Sequence, residues 1–285
     1  MQHLDTCKEL SKILGDSLSE ETHAWIEDKL DRIIESKSAR ELYLCYSLIA
    51  GKIHPETKPE TRGVNHELAE YLVAQEADLL QIARIYLLIR VLESDKEYFS
   101  AKVANLIQVA DTGELVTFLK FLILLPDAGD FNQVGVEALR TNIGIIFDAI
   151  ALNNPYPSKY FNDQQWNQMY LKAAFMERNL GEIIDVEKRA NSDLARIISD
   201  YAHERWAASR NIDPLFWRPV AQFLEGVLLQ DMDHLFRSKD KTENLAAALC
   251  CYSATQPEAK DLLNNYPDLK EMVTHGEITW ENLKK

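Results

Sequence analysis

The longest apolar run of this 285-residue chain reads Leu79-Leu80-Gln81-Ile82-Ala83-Arg84-Ile85-Tyr86-Leu87-Leu88-Ile89-Arg90-Val91-Leu92. Arg84 and Arg90 interrupt it, and it falls short of the roughly 18 consecutive apolar residues that a membrane-spanning helix needs. The run therefore predicts a helix of a soluble protein that is not embedded in a membrane.

Further helical segments lie on both sides of this run, joined by short links. Links such as residues 111–113 and 126–129 are so short that successive helices must pack as antiparallel neighbours. Glycine (10) and proline (9) are scarce, which also favours helix. The predicted helices of the first half span residues 4–14, a segment that begins after Ser19, and residues 39–53, 67–74, 79–92, 98–109, 114–125 and 134–140.

These segments predict an all-α fold in a single domain over residues 1–285, built as an irregular stack of antiparallel helical hairpins. A globular orthogonal helical bundle is the alternative, because no fixed sequence period demonstrates a repeat array. Residues 54–65 hold two prolines, a glycine and several charges without an apolar period. They predict a long loop and a candidate subdomain break.

The net charge and the cysteines indicate which kinds of partner and which cellular compartment to expect. The formal net charge of −14 repels phosphate backbones and anionic lipid headgroups, so we expect no nucleic-acid partner. Cys7, Cys45 and the adjacent Cys250 and Cys251 show no metal-ligand spacing, which favours reduced thiols in a cytoplasmic protein. The first residues lack a basic segment followed by an apolar one, so no signal peptide is predicted.

The second half of the chain places polar residues inside strongly apolar helices. Residues 143–152 carry apolar side chains in nearly all directions, which predicts that Asp148 is buried. Residues 163–176 behave likewise; there Asn167 lies among apolar neighbours, whereas Lys172 lies on a narrow polar edge. Both helices are therefore expected to be central.

An arginine and an acid lie on the core stripes of the next two predicted helices. Arg205 lies close to the centre of the stripe of helix 193–209, and Asp231 continues the stripe of helix 219–236. An arginine cannot shed its charge, so a buried one needs an acidic or carbonyl partner. We predict that Arg205 pairs with Asp231 or Asp148.

Two acid and histidine pairs at helical spacing give a weak metal-site alternative. Asp200-x-x-His203 and Asp231-x-x-His234 lie on successive helices, but Asp200 and His203 point away from the core stripe. Ala207 also occupies the place of the second histidine of H-E-x-x-H. The sequence therefore predicts no metal and no other cofactor.

The segment Asn154-Pro155-Tyr156-Pro157 predicts an extended corner between two buried helices, because each proline disfavours helix for itself and for the residue before it. The corner is either only rigid, or it presents Asn154 and Tyr156 to a cleft.

Two interpretations of the polar residues stay open. In the first they are buried ion pairs and amide bonds that fix helix register. In the second they line a pocket for a polar or amphipathic small molecule. The candidate ligand-binding residues are Asn154, Tyr156, Trp166, Asn167, Lys172, Arg189, Asn191 and Arg205.

Several rare short segments occur in a characteristic order across residues 137–210. They are Arg140-Thr141-Asn142, Phe147-Asp148-Ala149, Asn154-Pro155-Tyr156-Pro157, Phe161, Trp166-Asn167-Gln168-Met169, Lys172, Arg189-Ala190-Asn191 and Asp200-Tyr201-Ala202-His203-Glu204-Arg205-Trp206-Ala207-Ala208. This block resembles the EboA family. One departure is residues 183–188, which contain no glycine where the resemblance leads us to expect a glycine-containing turn.

The resemblance implies a setting rather than a reaction. EboA-like proteins are encoded in bacterial gene clusters beside proteins that resemble a membrane prenyltransferase, a sugar-phosphate cyclase, a metal-dependent hydrolase and a sugar-isomerase-like barrel. Such clusters are linked to making or exporting specialised metabolites, including precursors of a sunscreen pigment that move toward the periplasm. The resemblance assigns no catalytic residue.

The sequence therefore favours an accessory protein of a metabolite pathway that binds a small molecule or a partner protein. The second hypothesis is an enzyme acting on a cyclitol or prenylated intermediate, with Asp148, His203, Glu204 and Arg205 as acid–base candidates. No G-x-S-x-G motif and no phosphate-binding glycine loop supports it. The third is a non-catalytic scaffold for pathway enzymes, which a flat apolar groove would favour over a pocket.

Overall fold

The computed structural model describes residues 5–54 and 57–283 and divides the chain into two compact units. The first unit ends at Tyr160 and the second begins at Phe161. Every regular element in the described ranges is helical, so the all-α prediction is confirmed, and a stack of helices fits it. The single domain over residues 1–285 stays a prediction. None of the described helices is long and apolar enough to cross a membrane.

The first unit is built from short and medium helices joined by tight turns. Its α-helices are α1 Thr6–Ser17, α2 Glu20–Ser36, α3 Ala39–Leu48, α4 His66–Ala74, α5 Leu79–Ser94, α6 Lys96–Ala104, α7 Leu106–Val109, α8 Thr112–Lys120, α9 Asn132–Ala138, α10 Gly144–Ala151 and α11 Tyr156–Tyr160. Its 3-10 helices are Ile49–Gly51, Leu122–Leu124 and Ala128–Phe131. The predicted helix start at Leu4 lies outside the described residues, and the predicted helix 39–53 changes to 3-10 geometry after Leu48.

The long apolar run forms α5, which lies in the core of the first unit. A capping box starts the helix, because Asp78 accepts from the main-chain N–H of Gln81 while the Gln81 side chain accepts from that of Asp78. The helix packs on α1, α2, α6 and α8, and it is buried along almost its whole length. The core is therefore organised around this one element.

A buried ion pair crosses that core. Arg84 of α5 and Glu114 of α8 are each 5% exposed, and Arg84 Nη2 lies 3.5 Å from Glu114 Oε1. Arg84 Nε also donates to the Tyr46 carbonyl oxygen at 3.0 Å, and the Tyr46 hydroxyl donates to the Glu114 carbonyl oxygen at 3.0 Å. All three side chains are thus held by partners inside the unit.

The described part of the 54–65 loop lies inside the first unit. Lys12 Nζ of α1 donates to the Gly63 carbonyl oxygen at 2.8 Å, and the Asn65 main-chain N–H donates to Glu9 Oε2 at 3.1 Å. Gly63 has a φ of 71°, a conformation that favours glycine. Pro55 and Glu56 lie outside the described residues.

The second unit contains six α-helices and two 3-10 helices in its described residues. Its α-helices are α12 Asp163–Phe175, α13 Ser192–Ala207, α14 Val227–Phe236, α15 Lys241–Ser253, α16 Pro257–Asn264 and α17 Pro267–Thr274, with 3-10 helices at Leu180–Glu182 and Pro214–Phe223. The 3-10 helix Pro214–Phe223 packs against α13 and α15, while α14, α16 and α17 also pack against α15.

The predicted long helix 219–236 is wrong. Pro219 lies inside the 3-10 helix Pro214–Phe223, and α14 starts only at Val227. Gly226 has a φ of 53° and interrupts the chain between them, because that left-handed conformation does not continue an α-helix. The apolar stripe on either side of Gly226 therefore belongs to two elements with independent registers.

Candidate functional site

The Asn154-Pro155-Tyr156-Pro157 corner is tied into the first unit. Nδ2 of the buried Asn154 donates to two main-chain carbonyl oxygens at 2.9 and 3.1 Å, and its Oδ1 accepts from the Tyr156 main-chain N–H at 2.9 Å. The buried Tyr156 hydroxyl donates to another carbonyl oxygen at 2.8 Å, and burial raises its pKa. The extended conformation predicted for the corner is wrong beyond Pro155, since Pro157 lies in the first turn of α11, where its missing N–H needs no intrahelical partner.

Asp148 on α10 is half-buried, whereas the sequence predicted a buried residue. Two of its apolar neighbours, Ile143 and Ile145, are more than half exposed. This helix is therefore exposed on one side although its residues are apolar. Asp148 is only half-buried for that reason.

An amide pair joins α12 to the start of α13. Asn167 Nδ2 donates to Asn191 Oδ1 at 3.1 Å, and Asn191 Nδ2 donates back to Asn167 Oδ1 at 2.9 Å. Asn191 Oδ1 also accepts from the Leu194 main-chain N–H and so caps α13. Asn167 is buried, so the pair is a hydrogen-bonded link between the two helices on the inside of the unit.

Arg189 lies across the first turn of α12. Its Nη2 donates to the Phe161 carbonyl oxygen at 2.9 Å and lies 3.2 Å from Asp163 Oδ1. Its guanidinium carbon lies 4.9 Å from the centroid of the Trp166 ring, which is a cation–π distance. Trp166 itself is fully buried, so these contacts anchor the loop that precedes α13.

That loop turns without the glycine expected from the resemblance. Asp185 adopts a φ of 61°, and its carbonyl oxygen accepts from the Arg189 main-chain N–H at 2.9 Å. An aspartate therefore holds the left-handed conformation that glycine favours, which aspartate tolerates better than most residues.

Three further candidates lie nearer to the solvent. Lys172 is half-buried, and desolvation lowers its pKa. Glu204 is exposed, and so is Asp200, whose Oδ2 accepts from Arg196 Nη1 at 3.0 Å. Asp200 thus pairs with the arginine one turn before it.

A buried carboxylate links α13 to α14. Asp231 is 2% exposed; its Oδ2 accepts from Ser199 Oγ at 2.6 Å, and its Oδ1 lies 2.6 Å from His203 Nε2. The His203 side chain is 51% exposed, so the imidazole connects the buried acid with solvent. Serine and histidine both bond to the acid, so this is not a relay in which a histidine activates the serine. In this dyad of His203 and Asp231, the acid can orient the imidazole for proton transfer.

The predicted pairing of Arg205 with Asp231 is wrong. Arg205 Nε and Nη2 donate to the Asn211 carbonyl oxygen at 3.1 and 2.6 Å. The break at Gly226 explains the error, because α14 takes its own register and brings Asp231 to the face of α13 that carries His203.

Both histidines of the metal-site alternative pack on one indole. The Trp206 ring centroid lies 5.5 Å from that of His203, 4.2 Å from that of His234 and 5.8 Å from that of the buried Trp217. Across residues 5–54 and 57–283, no three or more His, Cys, Asp or Glu side chains are grouped to hold a metal ion. Of the four candidates Asp200, His203, Asp231 and His234, only His203 and Asp231 bond to each other.

Two neighbouring cavities lie in the second unit. The smaller has a volume of about 70 Å³ and is bordered by Arg178, Tyr201 and Arg205. The larger, of about 560 Å³, lies among the 3-10 helices, the start of α15 and the C-terminal segment. Asp213 lines both, so the cavities are adjacent. Residues of the larger cavity include Asn179, Gly181, Glu182, Pro214, Leu215, Thr242, Trp280, Glu281 and Leu283.

The sequence missed several residues of these sites. Ser199 gave no signal, because a single serine on an apolar face is ordinary. The pair Asp213-Pro214 did carry a signal, because an acid before a proline predicts a helix start. In the structure Asp213 Oδ1 accepts from the Leu215 main-chain N–H at 2.9 Å. Trp280 lies in a segment whose role no periodicity reveals.

One of three comparisons with known proteins identifies a family. The family model described as "Metabolite traffic protein EboA" matches residues 6–221. No curated protein and no solved structure matches the chain.

Proposed function

This chain belongs to the EboA family, and we propose that it serves metabolite traffic by binding a small molecule in its second unit. The observation that carries the proposal is the cavity of about 560 Å³. Its volume lies within the range of roughly 300–1,000 Å³ that small-molecule sites occupy. Its lining combines the apolar side chains of Pro214, Leu215, Trp280 and Leu283 with polar ones that could orient a ligand.

The hydrogen bonds of the predicted ligand contacts support this location. Asn154 bonds to main-chain groups, and Asn167 and Asn191 bond to each other, so their polar atoms serve the fold. Arg205 borders the smaller of the two adjacent cavities. Of the predicted ligand-binding residues, the proposal retains Arg205.

The proposed setting is a cytoplasmic pathway for a cyclitol-type or prenyl-type metabolite whose product is exported. The family description supports metabolite traffic, and the free cysteines support a reducing compartment. Pathway proteins that deliver and collect the ligand are the proposed partners. The net charge of −14 argues against nucleic acid as a partner.

Native mass spectrometry tests the proposal on protein purified gently from cells that also express the pathway. We expect one small molecule bound per chain, and its loss in Trp280→Ala, which removes a wall of the cavity. The matched control is Tyr252→Ala, since Tyr252 is a partly exposed aromatic residue of the same unit that does not line this cavity. Wild-type protein without ligand, or equal occupancy in Trp280→Ala and wild type, would overturn the proposal.

A second candidate function is proton-transfer catalysis at His203. The observation that favours it is the buried Asp231 that orients the half-exposed imidazole, an arrangement typical of a general base. Glu204 and Arg205 retain no role in it, because neither bonds to this dyad.

Turnover of the small molecule recovered above tests this second function. An enzyme would convert the molecule on incubation, and His203→Gln would slow conversion by about 10²-fold or more, as for loss of a general base. His234→Gln is the control, because His234 packs on the same indole without bonding to Asp231. A ligand that stays unchanged with wild-type protein rules the second function out.

A further inference from the structure

Arg205 lies near the end of α13, where the turn that follows the helix holds its side chain. Ser209 has a φ of 53°, and the Arg210 main-chain N–H donates back to the Arg205 carbonyl oxygen at 2.9 Å. This left-handed turn ends the helix and reverses the chain. The Asn211 carbonyl oxygen beyond the turn accepts from Arg205 Nε at 3.1 Å and from Nη2 at 2.6 Å. One edge of the guanidinium is therefore fixed by the main chain.

The other edge of this guanidinium keeps its donors. A guanidinium carries five N–H donors in a rigid fork, and the Asn211 carbonyl oxygen uses one on Nε and one on Nη2. A parallel pair of N–H groups remains, one on Nη1 and one on Nη2. Such a pair matches the two oxygens of a carboxylate.

Four other arginines of the second unit show what Arg205 lacks. Each places a nitrogen within 3.2 Å of a carboxylate oxygen of the protein; they are Arg189, Arg196, Arg218 and Arg237. Arg205 forms no ion pair with an acid of the described residues, because its bonds go to the Asn211 carbonyl oxygen. Although acids are abundant in a chain of net charge −14, this half-buried cation has no acid of its own.

Arg205 also lines the smaller cavity of the second unit, together with Tyr201. The volume of about 70 Å³ is well below the roughly 300–1,000 Å³ of sites that enclose a whole small molecule. Tyr201 packs its ring against the buried Phe216, with the centroids 5.2 Å apart, and its hydroxyl bonds to none of the described residues. The cavity therefore offers donors and space for one small acceptor group.

The charges of the lining favour an acceptor group with a single negative charge. Two arginines, Arg178 and Arg205, and two acids, Glu177 and Asp213, line the cavity, so their formal charges cancel. Arg178 and Asp213 interact with other groups of the protein, and neither is counted as a ligand contact. The two acids repel a dianionic phosphate more strongly than a monoanionic carboxylate.

We infer that the smaller cavity is a binding site for the carboxylate group of a small organic acid. The two carboxylate oxygens would accept from Nη1 and Nη2 of Arg205, and the Tyr201 hydroxyl would donate a further hydrogen bond. The inference goes beyond the proposed function, because it concerns the smaller cavity and holds whether or not the larger one is filled.

Fluorine NMR with two probes of similar shape tests the inference: fluoroacetate, which is an anion at neutral pH, and the uncharged fluoroacetamide. We expect fluoroacetate to bind in the millimolar range, and fluoroacetamide and inorganic phosphate to bind at least about tenfold more weakly. Acetate, which carries the same carboxylate, should displace fluoroacetate. Arg205→Gln should weaken fluoroacetate binding at least about tenfold, because it removes the charged donors.

Three more variants serve as controls or as a second test. Arg210→Gln removes the same charge from an exposed arginine of the same turn and should keep the binding. Tyr201→Phe keeps the ring on Phe216 and removes only the hydroxyl, so it should weaken binding about threefold even if Arg205→Gln alters the turn. Trp280→Ala, which removes a wall of the larger cavity, should leave fluoroacetate binding unchanged.

The outcomes separate this inference from the proposed function. Equal binding of fluoroacetate and fluoroacetamide, or no binding of fluoroacetate at millimolar concentration, overturns the inference and leaves the larger cavity untouched. A loss in Arg210→Gln as large as that in Arg205→Gln overturns it too, because binding would then reflect surface charge. Phosphate that binds as tightly as fluoroacetate overturns the carboxylate class. Loss of binding in Trp280→Ala would move the probe to the larger cavity and overturn the assigned site.

Discussion

Each unit buries a carboxylate, and the partners of the two carboxylates differ in their exposure to solvent. Glu114 in the first unit meets the guanidinium of Arg84, which is as deeply buried as the acid. Asp231 in the second unit meets Ser199 and the imidazole of His203, whose side chain is half exposed. One acid is closed off on all sides, and the other keeps a path to solvent.

The difference separates a polar group that serves the fold from one that is available for chemistry. A closed ion pair has already met its desolvation cost, and its charges are matched by groups inside the protein. A buried acid that is hydrogen-bonded to an exposed imidazole is linked to a group that can exchange protons with solvent and contact a ligand. Burial alone therefore does not mark function; what matters is whether the network reaches the surface.

The largest expected effect is on the closed pair. Arg84→Met would leave Glu114 buried without its cation and the Tyr46 carbonyl oxygen without its donor, so we expect a loss of about 3–5 kcal/mol in the free energy of unfolding. Urea denaturation followed by circular dichroism measures it. Arg32→Met, which breaks an exposed pair with Asp28, should cost under about 0.5 kcal/mol. A loss below about 1 kcal/mol for Arg84→Met would contradict a structural role for the pair.

The amide pair of the second unit should come next. Asn167→Leu removes both hydrogen bonds to the Asn191 amide, and we expect about 2 kcal/mol of destabilisation from the loss of the two bonds. Gln168→Leu is the control one residue along the same helix, where the side chain is exposed, and it should change stability by under about 0.5 kcal/mol. Similar losses for the two variants would show that Asn167 does not fix helix position.

The open dyad should be less sensitive to loss of its partner than the closed pair. His203→Ala removes one hydrogen bond from Asp231 but admits water through the exposed side, so we expect a loss of only about 1 kcal/mol. Thermal and urea unfolding of this variant, Arg84→Met and the control His234→Ala give the comparison. A loss for His203→Ala equal to that for Arg84→Met would remove the distinction between the two networks.

The smallest effect is expected at the turn before Arg189. Asp185→Gly relieves a left-handed backbone but adds freedom to the unfolded chain, so stability should change by no more than about 0.5 kcal/mol. Asp185→Ala keeps the strain and loses the polar side chain, and it should destabilise by about 1 kcal/mol. If alanine is tolerated as well as glycine, the φ of 61° does not constrain this turn.

Helix content and the family followed from local patterns, but contacts between helices did not. An apolar run predicted α5, and helical segments joined by short links predicted the all-α class, because each signal depends on residues a few positions apart. The partner of Asp231 depended on Gly226, a single residue that resets the register between two elements. The predicted burial of Asp148 was wrong for a similar reason, since an apolar helix face gives no sign of whether another element covers it.

The candidate sites show the same difference between local sequence signals and contacts of distant residues. Sequence identified Asn154, Asn167 and Asn191 as unusual, but the structure was needed to show that they bond to the protein itself. The larger cavity joins Gly181, Asp213 and Trp280, which lie far apart along the chain. No motif spans such separations, so its lining could not be predicted.

The 3-10 helix Pro214–Phe223 has a practical consequence for protein production. The family match stops at residue 221, within this helix, while the fully buried Phe216 and Trp217 lie on an element packed against α15. Cys250 of α15 even approaches the Trp217 carbonyl oxygen, with its Sγ 3.4 Å away. A clone ended at the family boundary would expose this aromatic surface to water, and insoluble aggregates are the expected yield.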